Sequence, residues 1–183
     1  MFGAAANKKT KTARVGAGVY VLRLHGRDGR GNHYYVGKST NVPHRIATHQ
    51  RASDDSAAWV KYHNGVQAVE EPSTPRGEDV NNWEMRETIA RMIRHGIDNV
   101  RGWEWTLCRP FERDYVSFRV AACGVLDCCR ACGQPGHYVL QCPGNSIEPW
   151  LQHCDEAISA DPKPPGRSTE ESDVFGTLGD ALY

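Results

Sequence analysis

Four metal-binding side chains follow one another at short fixed intervals: Cys129, Cys132, His137 and Cys142, with two, four and four residues between them. Three thiolates and one imidazole complete the tetrahedral shell that Zn²⁺ prefers and leave no open position, so a structural role is expected. Gly133 and Gly136 supply the tight turns that bring the ligands together. A segment this short has no core of its own, and metal binding must supply its folding energy. The zinc module is therefore expected to cover 128–143.

The remaining cysteines fit the same reading. The chain has 7 Cys, an odd number, with five packed between Cys123 and Cys142. The start, MFGAAANKKTKTARVG, places its basic residues after an Ala run, the reverse of a secretory signal. An intracellular, non-secreted location is expected, where Cys serves as thiol or metal ligand before disulfide. Cys128 can replace Cys129 only by spoiling the two-residue spacing. Cys108, Cys123 and Cys154 read as spare thiols, with His153 beside Cys154 hinting at a second metal site. No run approaches the ~20 apolar residues of a membrane-spanning helix, so no membrane partner is expected.

Upstream, the 183 residues leave room for one ordinary domain. Residues 1–14 carry Lys8, Lys9, Lys11 and Arg14 and no acid, as a flexible basic arm would. Strands are expected at Gly18–Leu24 and His33–Gly37, joined through the Gly-rich stretch 26–32 as a hairpin. Thr40 and Asn41 offer N-cap side chains, and Pro43 sits in the first turn of a helix reaching about Gln50. A short helix at Ala57–His63 and a third strand at Gly65–Val69 follow. The loop 71–79 then leads to the best-defined helix, Val80–His95, with its apolar stripe and Gly96 at its end. Trp103–Leu107 is a further strand candidate, and 110–126 has no clear pattern. Residues 155–183, rich in Pro, Ser and acid, read as a disordered tail.

Chemistry-bearing residues cluster in the first of these regions. Gly18-Val19-Tyr20 lies on the first strand and Tyr35-Val36-Gly37 on the second, followed at once by Lys38. Arg45 and His49 stand four residues apart on the next helix and so share a side. Glu84 and Glu87 lie one turn apart on the long helix, and Asn99 comes just after it. Over residues 18–102 this pattern resembles the GIY-YIG endonucleases, with GVY for the first motif and YVGKSTNVPHR for the second. The interval between the motifs is longer than is usual there, and the Gly-rich loop absorbs the excess. HGIDNVRG, at 95–102, resembles a segment of GIY-YIG proteins of large DNA viruses, which tend also to carry a zinc knuckle.

The resemblance implies an α/β (α+β) domain over 15–107: a small antiparallel three-stranded sheet flanked by helices, joined by 108–127 to the zinc module. It implies hydrolysis of a DNA phosphodiester to 5′-phosphate and 3′-hydroxyl products with one Mg²⁺ or Mn²⁺. Tyr20 becomes general base or water-positioning phenol, supported by Tyr35. Arg45 holds the scissile phosphate, His49 is a second helper, and an acid of the long helix binds the metal. Glu87 stands twelve residues before Asn99 and Glu84 fifteen, both spacings of the family; Glu87 is favoured for its distance to the helix end.

Elementary chemistry agrees with those roles. Arg45 offers a permanently charged fork matched to phosphate oxygens. A phenol titrating near ~10 is a poor base at neutral pH, but Lys38 or a metal-bound water would favour its phenolate. One carboxylate suffices for Mg²⁺, which keeps waters and takes a substrate phosphate as ligand.

Residues 129–142 resemble the CCHC zinc knuckles throughout, which implies a grip on single-stranded nucleic acid by stacking. Tyr138 is the expected stacking surface, with Val139 and Trp150 near it. Arg130 stands where many knuckles place an aromatic and favours a phosphate contact. DNA is the expected partner, without distinction of duplex, branched or single-stranded forms; RNA and a protein partner at the knuckle stay open. A non-catalytic nucleic-acid-binding adaptor and a protein-interaction scaffold are the rival functions. The formal net charge of +0 argues against none of this. Residues 155–183 hold seven acids and two bases, so 1–154 carry the compensating positive excess.

Overall fold

A computed structural model describes residues 17–27, 29, 32–70, 79–108 and 114–160. The basic arm at 1–14, most of the loop at 71–79 and the tail beyond 160 lie outside the described residues, as does part of the Gly-rich stretch.

Strand β1, Gly18–Leu24, pairs antiparallel with β2, His33–Ser39, and on its other side with β3, Val66–Glu70. A fourth strand, β4 at Val100–Arg101, runs parallel to β2 on the outer edge, giving the order β3-β1-β2-β4. The sheet is thus mixed and four-stranded, where three antiparallel strands were expected. Two residues are too few to show alternation, so β4 has no sequence signature. It also displaces the strand expected at 103–107, where only Gly102 and Trp105 bridge across a turn.

Alternation along the strands divides the core between the two faces. Tyr20, Leu22 and Leu24 point to one side and are covered by α1, Val42–Gln50, and α2, Ala58–Tyr62, through Val42, Ile46, Trp59 and Val60. Asn41 caps α1 by accepting from the His44 N–H at 3.2 Å. Val19, Val21, Tyr34 and Val36 point to the other side, against Ile89 and Met92 of α3, Val80–His95. Asp79 caps α3, accepting from Asn81 N–H at 2.8 Å, and Gly96 ends it at φ 93°.

That second core continues past the sheet. Residues 115–126, without pattern in the sequence, form helix α4, Tyr115–Leu126. Pro149–Ala160 forms α5, so the first six residues assigned to a disordered tail are helical. Trp150, Leu151 and Cys154 of α5 join Phe118, Ala122 and Cys123 of α4 in one buried cluster with Trp105, Val100 and the α3 residues. The apolar stripe of Trp150, Leu151 and Cys154 lies just before the acid-rich stretch 155–183, and the helix it starts runs on into that stretch. No described helix is long and apolar enough to cross a membrane.

Candidate functional site

Two polar constellations stand out, one at the sheet and one after α4. At the sheet, register places Tyr20 opposite Gly37. A methyl group on Gly37 would meet Tyr20 Oη at 2.5 Å and Cζ at 2.6 Å, so the ring of Tyr20 occupies the space a side chain would fill. Gly37 is therefore required by its close approach to the phenol and not by a turn.

The hydroxyl of Tyr20 is 2.9 Å from His49 Nε2 on α1, and Tyr35 packs on both rings, 6.3 Å from Tyr20 and 5.5 Å from His49 between centroids. Tyr20, Tyr35, Arg45 and His49 therefore converge. Burial pushes the Tyr20 phenol above its ordinary value; a side-chain hydrogen bond and the charge of Arg45 oppose this, while the charge of Glu84 adds to it. Tyr35 is raised, first by burial and then by Tyr20. Burial, with the Arg45 charge beside it, pushes His49 down to about 4, so the ring is neutral at pH 7.

The loop between α1 and α2 holds this group in place through its main chain. Arg45 Nη1 donates to the Asp55 carbonyl at 2.7 Å, and the Ala57 N–H donates to His49 Nδ1 at 3.4 Å. Neither contact has a side-chain signal, and sequence inspection missed both.

The two acids of α3 have different partners. Buried Glu84 pairs with Lys38 of β2 at 2.8 Å, and its charge is felt at both Tyr20 and Tyr35. Glu87, the acid favoured by spacing, instead accepts from Arg91 Nε at 2.8 Å, and Arg91 also pairs with Glu70 of β3. The geometry thus assigns Glu84 to the tyrosine cluster and Glu87 to a buried ion-pair network. Glu87 and Arg91 stand four apart on one helix, a pairing the sequence offered. Asn99 donates through Nδ2 to the His95 carbonyl at 2.9 Å and closes the end of α3. A single carboxylate such as Glu84 suits Mg²⁺ or Mn²⁺ retaining most of its waters, and suits Zn²⁺ poorly.

The second constellation comprises Cys129, Cys132, His137 and Cys142. Their ligand atoms all lie within 4.8 Å of one another, the one group of three or more such donors among the described residues. Cys132 Sγ is 3.3 Å from His137 Nε2, close to the edge of a tetrahedron built on Zn–S of about 2.3 Å and Zn–N of about 2.0 Å. The set can hold a zinc ion. Burial opposes ionisation of Cys129, but hydrogen bonds from the Ala131 and Cys132 backbone and from the Cys132 and Cys142 thiols outweigh it and bring the thiol to about 7. Cys128 is no substitute ligand: it bridges to Pro135 and faces Cys123, and burial pushes its thiol to about 12. His153 lies near Tyr115 and Asp98 rather than in a metal cluster.

The ligand loop is seated on α5. Cys132 O accepts from the Glu148 N–H at 2.9 Å, Gln134 donates to Glu148 at 2.6 Å, and Gly133, at φ +77°, lies against Glu148 and Trp150. Trp150 is buried, edge-on to Phe118, and is no stacking surface. Tyr138, Val139 and Leu140 are exposed, Leu140 completely. Arg130 is also exposed, with its carbonyl accepting from Arg119 Nη2 at 2.6 Å.

No family model, curated protein or solved structure matches this chain.

Proposed function

We propose that the protein is a metal-dependent endonuclease of the GIY-YIG kind, hydrolysing DNA phosphodiester bonds with the Tyr20–Arg45–His49–Glu84 cluster. The observation that carries this is the convergence of residues from β1, β2, α1 and α3 on one phenol, at which the charge of Glu84 is felt. Hydrolysis needs a positioned water, charge neutralisation at phosphorus and help for the departing oxygen. Arg45, held by the Asp55 carbonyl through Nη1 and hydrogen-bonded to Tyr20, brings a permanently charged guanidinium beside the phenol, suited to a phosphate oxygen. Tyr20 orients the attacking water and, as phenolate, takes its proton. Glu84 would hold Mg²⁺ or Mn²⁺ in this scheme, and the ion would supply positive charge at the phosphate. Lys38, paired with Glu84 at 2.8 Å, stands close enough to this position to contact substrate. The Cys₃His module, as a zinc knuckle, grips the nucleic acid through Arg130 and the exposed Tyr138, Val139 and Leu140.

A cleavage panel of duplex, flap, junction and single-stranded DNA with Mg²⁺ or Mn²⁺ tests the proposal. Cutting by the wild type, reduced about 10²–10⁴-fold in Tyr20→Phe, supports it; a panel left intact refutes it. A non-catalytic nucleic-acid-binding adaptor is favoured by one observation, that Lys38 already neutralises Glu84. It predicts binding without cleavage, unchanged by Glu84→Gln.

A further inference from the structure

The direction of one hydrogen bond decides what His49 can do. The ring is completely buried between two partners: Tyr20 Oη at 2.9 Å from Nε2 and the Ala57 N–H at 3.4 Å from Nδ1. A backbone N–H has no tautomers and can only donate. Nδ1 must therefore carry the lone pair, and a neutral imidazole then holds its single proton on Nε2. That proton points at the Tyr20 oxygen.

We propose that His49 is a fixed hydrogen-bond donor to Tyr20, locked in its Nε2–H tautomer by the Ala57 amide, and acts as a positioning residue that stabilises the phenolate rather than as the base that removes the phenol proton. This rests on the nuclease reading for its purpose but not for its geometry. Protonating Nδ1 would set a ring N–H against the Ala57 N–H, which agrees with a ring that stays neutral down to about pH 4. Tyr20 is also faced by Tyr35 of β2, by Arg45 of α1 and by the charge of Glu84 of α3, which Lys38 partly offsets. Burial, the largest influence, and Glu84 oppose the charged oxygen, while Arg45 favours it and an Nε2–H donated by His49 would add to that support. With both His49 nitrogens engaged, the hydroxyl proton turns away from the ring. It leaves to solvent water, and the phenolate so formed accepts a proton from the attacking water.

Long-range proton–nitrogen correlation spectra of the ¹⁵N-histidine-labelled full chain at pH 7 test the tautomer without any variant. A protonated Nε2 and bare Nδ1 for His49 are expected; a protonated Nδ1 overturns the proposal. Titration of ¹³C-labelled Tyr20 supplies a second readout. In His49→Leu its midpoint should rise by about one pH unit, a tenfold drop in phenolate, whereas His49→Gln, whose amide still donates, should stay near wild type. Equal shifts in both variants count against the donor role. Ala57→Pro deletes the locking N–H at a φ of −57° that proline accepts and should let the Nδ1–H tautomer appear. In cleavage, Gln should recover part of what Leu loses; a protein that shows the Nε2–H tautomer yet cuts no DNA would refute the nuclease reading alone.

Discussion

The two polar constellations are assembled by opposite means. The sheet cluster draws Tyr20, Lys38, Arg45, His49 and Glu84 from four elements, and apolar packing on both faces of the sheet brings them together. The Cys₃His cluster comes from 14 consecutive residues, whose donor atoms lie within 4.8 Å of one another. The first is held together by the packing of the fold; the second, as a zinc module, is one that the metal would help to fold. Their shared support is the buried α4–α5 pair, which joins the core under α3 and carries Cys128 at the entry to the ligand loop.

The largest expected effect separates the two directly. Structural zinc contributes about 10–16 kcal/mol in isolated knuckle-sized peptides. Chelation, or Cys132→Ser, should therefore strip hydrogen-exchange protection from 129–142 and from the start of α5 at Trp150, while β1 and β2 keep theirs. Simultaneous loss in the sheet would break the distinction between the two regions.

Acid should act on the sheet cluster through His49, apart from any loss of zinc from the thiolates. Unfolded His49 takes up a proton near 6.5, the folded residue only near 4, so falling pH between those values favours the unfolded chain. Between pH 7 and pH 4.5 the wild type should lose about 2 kcal/mol more stability than His49→Gln in denaturant titrations. An equal loss in both would place the acid sensitivity elsewhere.

Gly37→Ala comes next, at about 1–3 kcal/mol, because the added methyl overlaps the Tyr20 phenol; Tyr20→Phe should relieve part of it, since the closest atom is the hydroxyl. Smallest is Leu140→Ser, within about 0.5 kcal/mol for a fully exposed residue. If single-stranded DNA affinity also stays unchanged there, the exposed turn at 139–141 takes no part in the grip.

Legibility in the sequence followed the same division. The zinc ligands were readable because ligand type and spacing lie within one short segment. Strands β1 and β2 and helix α3 were readable from alternation, caps and the closing Gly96. The different partners of Glu84 and Glu87 were not, because the pair Lys38–Glu84 is a long-range contact that no local spacing encodes. The Glu87–Arg91 pair was visible at i, i+4 and could have set Glu87 aside. Helix α4 escaped because its stripe of Tyr115, Phe118, Ala122 and Cys123 is flanked by exposed Val116, Val120 and Leu126, which blur the period. The main-chain contacts from Asp55 and Ala57 leave no trace in residue identity at all.

In the proposed nuclease Glu84, and not Glu87, serves the tyrosine cluster. Single-turnover cleavage of DNA with Mg²⁺ by wild type, Glu84→Gln and Glu87→Gln, each at a temperature where it is folded, tests this most directly. Glu84→Gln is expected to lose about 10²-fold or more in rate, while Glu87→Gln cuts at near wild-type rate but unfolds more easily, having broken a buried pair with Arg91. Cleavage that survives Glu84→Gln and disappears in folded Glu87→Gln would contradict it.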